Sequence, residues 1–266
     1  MVNKIFKYLK ISLILIKNCF SKETAFRLPF LFWVIANLFW LWFSLYSVEL
    51  LYRQVPVIAG WTASDGKVLI LVNSLFQTLV WFFIMPNLVV FWKLINQGTL
   101  DFHLLRPISA RFLSSVTYFE FDMIPRLIPI IIILVPLLNS FSRIISAEEW
   151  ILFLLVLLFG VIIFYNFGFI IVTTCFWFTK IDSLEDLLGN TISLGRYPSD
   201  VFKGFSKVIF VYAIPSIFVS VIPAMILLGK GKWDLFFLSA AFVILTGVLS
   251  HYYWNFALRH YSSASS

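Results

Sequence analysis

The chain has 266 residues, of which 61% are hydrophobic, 19% aromatic and only 12% charged, with a mean hydropathy of +0.95. A soluble domain carries about 25% charged residues, so half that share excludes a surface covered by water and makes lipid the main solvent. The net charge of +7 suits anionic lipid headgroups and gives no case for nucleic acid.

Residues 2–22, "VNKIFKYLKISLILIKNCFSK", come first. At helical spacing, Asn3, Lys7, Lys10, Lys17 and Ser21 share one face. Ile5, Phe6, Leu9, Leu13, Ile16 and Phe20 face away, and Ile11 and Ile14 interrupt the polar side. This pattern predicts an amphipathic helix lying in the membrane interface over residues 1–27, with its lysines toward the headgroups.

A bilayer core of about 30 Å takes roughly 20 apolar residues per helical crossing. Six such runs come next, at 28–48, 68–92, 123–140, 150–178, 208–228 and 234–258. None alternates with the period-two pattern of a membrane barrel. The expected fold is all-α integral membrane, with six transmembrane helices over 28–266.

The second run carries Asn73, Gln77 and Asn87, which fall within an arc of about 80°. Amides on one face should not look at hydrocarbon. They either bond to a neighbouring helix or line a translocation path. The third run holds Pro125, Pro129 and Pro136, and the fifth holds Pro215 and Pro223. Each proline removes a backbone donor and bends its helix.

Between the second and third runs, "NQGTLDFHLLRPIS" at 96–109 is polar and rich in turn residues. Thr99 is placed to cap a short helix ending at Leu105, with Asp101 in its first turn. Arg106 precedes Pro107 and is driven out of the helical region, and Pro107 can open a second helix. Leu100, Leu104 and Leu105 lie outside any span, so the segment needs a docking partner.

Six spans divide the basic residues into two sets. Fifteen of the twenty lie in the chain ends and in the loops 93–126 and 180–207, against Arg53, Lys67, Arg143, Lys230 and Lys232 on the other side. Positive loops stay cytoplasmic, so both termini and the 96–120 loop are expected there.

Nothing in the chain resembles a catalytic set. His103, His251 and His260 are unpaired by any metal-binding spacing. Cys19 and Cys175 form no C-x-x-C. The Glu148–Glu149 pair sits in a short loop before Trp150. No G-x-x-x-x-G-K-[ST] occurs, so no phosphate loop binds ATP on this chain.

The segment "GTLDFHLLRP" at 98–107 resembles the G-x-L-D-x-x-L-L-R-P signature of bacterial ABC-2 family transporter permeases. "YWNFALRHYSSASS" at 253–266 is similar to that family's closing segment, W-x-x-A-L-R-x-Y-x-S-A. "RYPSDVFKGF" followed by "AIPSIFVSVIPA" resembles its penultimate region. The resemblance implies a permease subunit of an ATP-driven exporter in the inner membrane. It implies separate ABC ATPase subunits that hold ATP and Mg, and a second permease, identical or related. It also implies a cytoplasmic coupling helix formed by Gly98, Leu100, Asp101, Leu104, Leu105, Arg106 and Pro107. The rival readings are a membrane-embedded enzyme using Glu148, Glu149, His251 or His260, and a passive channel.

Overall fold

The computed structural model describes residues 2–25, 27–106, 108–141, 143–178, 184–209 and 214–260. Among these, five helices are long and apolar enough to cross a membrane. They are α2 (Arg27–Gln54), α3 (Ala63–Phe83), the continuous 3-10 turn and α7 (Phe121–Arg126 and Leu127–Asn139), α8 (Ala147–Thr174) and α12 (Trp233–Arg259). Before them runs α1 (Val2–Ala25).

α3 is the centre of the bundle. Val68, Leu71, Val72, Phe76 and Val80 are fully enclosed, by α2, α7, α8 and the elements around them. α2 and α12 instead show most of their apolar surface outward, as lipid-facing helices must. A hairpin, β1 (Val57–Ile58) and β2 (Trp61–Thr62), links α2 to α3. Its turn residues Ala59 and Gly60 both have positive φ, which a tight two-residue hairpin requires. Thr62 and Asp65 then form a reciprocal capping box that starts α3.

The ends of the bundle are distinct. At the hairpin end, Lys67 meets Glu49 at 2.5 Å, Lys230 meets Asp65 at 3.0 Å, Lys232 and Arg143 both pair with Glu149, and Trp233 Nε1 donates to Glu148 at 2.9 Å. These contacts gather the ends of α2 and α7 with the starts of α3, α8 and α12. The opposite, terminal end carries the start of α2 and the end of α12.

α3 does not continue straight through 68–92. It stops at Ile84, and α4 (Met85–Asn96) begins with Pro86 in its first turn. The missing N–H and the ring of proline account for that break. The next short helices are α5 (Asp101–Leu104) and α6 (Ala110–Val116).

The fifth apolar run departs most from expectation. A continuous helix over 208–228 does not form among the described residues. A π-helical turn (Ile217–Val221) leads into α11 (Ile222–Leu227), about 16 Å in all and too short to cross. Pro223 cannot donate to the turn before it, and a local π turn is one adjustment that accommodates such a gap. The segment ends at the hairpin end, where Arg143 reaches Leu227 O.

A further helix forms in residues expected to be loop. α9 (Leu184–Leu194) buries Leu184, Leu188 and Ile192, one face at four-residue spacing. Its last turn reaches Asn73, ten residues inside α3: Asn73 Nδ2 donates to Ile192 O at 2.9 Å and to Ser220 Oγ at 3.3 Å. Ser220 Oγ in turn donates to Gly195 O. α9 is eleven residues long, again about 16 Å. The two short helices therefore meet at one polar junction. Between them the chain makes an excursion holding a 3-10 turn (Ser199–Val201) and α10 (Gly204–Lys207).

Gly160 of α8 lets the second half-helix approach. A Cβ there would lie 2.3 Å from Phe218 O, so only glycine allows that backbone contact.

Candidate functional site

The loop between α4 and the third span is built from the end of α4 outward. Gly98 takes φ +66°, and the Gly98 and Thr99 N–H groups bond back to Ile95 O and Leu94 O. This left-handed stop closes α4 and sets the direction in which α5 leaves it. Thr99 does not cap the next helix: its hydroxyl turns back to Leu94 O, and α5 starts from Leu100 with no side-chain cap. Leu100 is fully buried, whereas Phe102 is 68% and Leu105 82% exposed. Leu104 is at the margin of exposure, and Arg106 is exposed. Pro107, expected to open a second helix, lies outside the described residues. That helix, α6, begins at Ala110, with Ser109 accepting from Phe112 N as its cap.

The result is a short platform with one leucine anchored in the core and Phe102, Leu105 and Arg106 presented outward. Asp101 opens α5 and accepts from Leu105 N through its carbonyl.

Two residues tie the platform to the spans. Asn87 of α4 acts as a clamp: its Oδ1 accepts from Thr117 N and Tyr118 N at 2.8 and 3.0 Å. Its Nδ2 donates to Tyr118 O at 2.7 Å and Phe83 O at 2.6 Å. Arg111 of α6, given no role by the sequence, reaches into the bundle. Its Nη2 donates to Asn166 Oδ1 of α8 at 3.2 Å and to Ser250 Oγ of α12 at 2.8 Å. The guanidinium lies 4.6 Å above the Phe169 ring. Ser115 adds a 2.6 Å bond to the Tyr165 hydroxyl. Arg111 looks like an ordinary loop cation in sequence, because its partners lie 55 and 139 positions away.

The three amides of the second run are not gathered into one cluster. Asn73 holds the half-helix junction. Gln77 Oε1 accepts from Arg126 Nη1 at 3.1 Å. Asn87 holds the loop. Each is bonded across elements.

A cavity of 730 Å³ opens at the terminal end, between the α1–α2 corner, α4 and residues 118–123. Lys22, Glu23, Trp33, Trp81, Lys93, Glu120, Asp122 and Glu185 are among its walls. Glu23 accepts from Phe121 N at 2.8 Å, and Asp122 accepts from Asn37 at 3.3 Å. Burial, then repulsion from Asp122, Glu23 and Glu185, pushes the Glu120 carboxyl up to about 7. The spread of these acids over three segments kept the cavity out of sequence view.

The residues of the enzyme reading stand apart. Glu148 and Glu149 are engaged at the hairpin end. His251 pairs with Asn255 and His260 with Phe256 O on α12, both exposed. Among the described residues no group of His, Cys, Asp or Glu is arranged to hold a metal.

A family model described as ABC-2 family transporter protein matches residues 38–265. No curated protein matches the chain, and no solved structure does.

Proposed function

The chain belongs to the ABC-2 family of transporter proteins, and as such is a multi-pass membrane permease component of an ABC transporter. From that premise we propose that it is an exporter's permease subunit, paired with a second permease, identical or related. Separate ATPase subunits holding ATP and Mg dock on its terminal end.

One observation carries this reading. α5 offers Phe102, Leu105 and Arg106 to the aqueous side, while Leu100 and Arg111 root the same loop in the bundle. Closure of ATPase subunits against that platform would pull on α4 through Gly98 and Asn87, and on α8 and α12 through Arg111. The spans would then switch between two arrangements, each favoured by a different nucleotide state.

The excess of basic residues near the terminal end supports placing it, with both termini, in the cytoplasm of a bacterial inner membrane. α1 would rest in the inner interface as an amphipathic helix. In this arrangement α9 and the π turn with α11 act jointly as a crossing, which brings the count to six. Broken helices of this kind are tolerated where protein re-satisfies the backbone, as Asn73 and Ser220 do. The direct test is purification of the tagged chain from its native membranes: an ABC ATPase should accompany it in stoichiometric amount. Recovery of the chain without any ATPase would contradict the assignment.

A further inference from the structure

The 730 Å³ cavity at the terminal end falls in the size range of small-molecule sites, about 300–1,000 Å³. No residue of α5 lines it. Its walls differ in chemistry and in depth. Glu23, Glu120 and Asp122 are half-buried, whereas Lys22 and Lys93 are exposed. The acidic wall is held in place: Glu23 accepts from Phe121 N at 2.8 Å, Asp122 accepts from Asn37 at 3.3 Å, and the Glu120 N–H donates to Phe82 O at 2.9 Å. Among the described residues no lysine or arginine forms an ion pair with these three carboxyls, and neither Lys22 nor Lys93 pairs with an acid. The cavity therefore keeps both signs of charge apart, the negative side enclosed and the positive side wet.

The start of α2 supplies an apolar wall through Pro29, Phe30 and Trp33. Trp33 is 56% exposed, and α2 turns most of its apolar surface outward, so this wall continues onto the lipid-facing side. A ligand complementary to all of this carries a cation for the enclosed carboxyls, an anion for the exposed lysines and an alkyl chain for the aromatic wall. Aromatic faces also attract an ammonium. We propose that the cavity binds the head of a zwitterionic phospholipid, its ammonium among Glu23, Glu120 and Asp122, its phosphate toward Lys22 and Lys93, and its chains along Trp33. Enclosed charges are tolerated when they are paired, and the ammonium supplies the counter-charge that the acidic wall lacks. The bound head ties α1 to α4 across the space between them.

The test uses the purified full chain in maltoside micelles, without any ATPase, so its outcome is separate from that of the permease reading. It is made at pH 8, where Glu120, titrating at about 7, is mostly ionised. Thermal unfolding is followed with added dioctanoyl phosphatidylethanolamine, dioctanoyl phosphatidylglycerol or dodecyltrimethylammonium, and the response is the shift within each variant. The phosphatidylethanolamine should raise the midpoint saturably, by about 2–4 °C at several times its Kd. Glu120→Gln and Lys93→Gln should each weaken its apparent affinity at least fivefold. Lys10→Gln, on an exposed lysine of α1 outside the cavity, should leave it intact. No saturable shift, an equal shift with phosphatidylglycerol, or an undiminished response in either cavity variant would overturn the proposal. An equal response to dodecyltrimethylammonium that Lys93→Gln leaves intact would also overturn it, by assigning the cavity to a lipophilic cation without a phosphate.

Discussion

Arg111 Nη2 donates to Asn166 Oδ1 at 3.2 Å, and so fixes a helix outside the apolar runs to the second half of α8. Asn166 and Ser250, its two partners, are both buried. A hydrogen bond to a charged group contributes about 1.5–3 kcal/mol, and removing the donor leaves two enclosed acceptors unpaired. Arg111→Ala should therefore lower stability by about 2 kcal/mol. In transport assays it should reduce flux more than tenfold while ATPase association is kept. The pairwise nature of the effect is checked by combining it with Asn166→Ala, whose cost should not add to it. Full additivity would mean that the two act independently.

Asn73 holds both half-helices at once. Asn73→Leu removes the donors for Ile192 O and Ser220 Oγ at no gain in fit. Buried polar contacts of this kind contribute about 0.6–2 kcal/mol in membranes. Hydrogen exchange should rise in 184–194 and 217–227 and stay unchanged in α2 and α12. Uniform exchange across the chain would show that the junction is not held by this residue.

Glu120 should make stability depend on pH. Its carboxyl rises from an ordinary 4.5 to about 7 in the folded chain. The native state therefore holds the proton more tightly than the unfolded one. That contribution is complete below about 4.5 and is lost as pH climbs to about 7, amounting to up to about 3 kcal/mol. Burial is the main cause, and Asp122, Glu23 and Glu185 add to it. Glu120→Gln should melt higher than wild type at pH 8 and nearly the same at pH 5. Parallel melting curves from pH 5 to 8 would rule out this carboxyl as the source.

The orientation is open to chemical labelling. With Cys19 and Cys175 replaced by serine, single cysteines at Ser64 and at Lys17 should respond oppositely to an impermeant maleimide added outside intact cells. Ser64→Cys should label and Lys17→Cys should not. The reverse pattern would invert the topology.

Much of this architecture is legible in the sequence, for identifiable reasons. Long apolar runs become helices because lipid leaves the backbone no other partner; α2, α7, α8 and α12 track the runs closely, and α3 stops short of the end of its run at Ile84. The stop at Gly98 is written in a glycine that can take positive φ. α9 is not legible, because eleven residues with Glu185 and Asp186 in the first turn resemble a solvated loop, and only the packing of Leu188 and Ile192 shows otherwise. Arg126 reads as a loop cation because it borders an apolar run. Its burial depends on Gln77, 49 positions away. Pattern along the chain reveals which face is apolar, and it does not reveal which distant polar group meets it.

Force from an ATPase enters through α5 in the coupling proposed here, and Arg106 is where that coupling is most open to test. Its side chain is exposed beside Phe102 and Leu105, at the end of a helix rooted by Leu100. Truncating or reversing one partner of a partly desolvated interface charge pair costs about 2–5 kcal/mol. The measurement is pull-down of the co-expressed ATPase subunit, made beside the melting midpoint of the permease, for wild type and Arg106→Glu. Coupling through α5 predicts an unchanged midpoint and at least a tenfold loss of captured ATPase. Equal capture by the two chains at equal stability would contradict it.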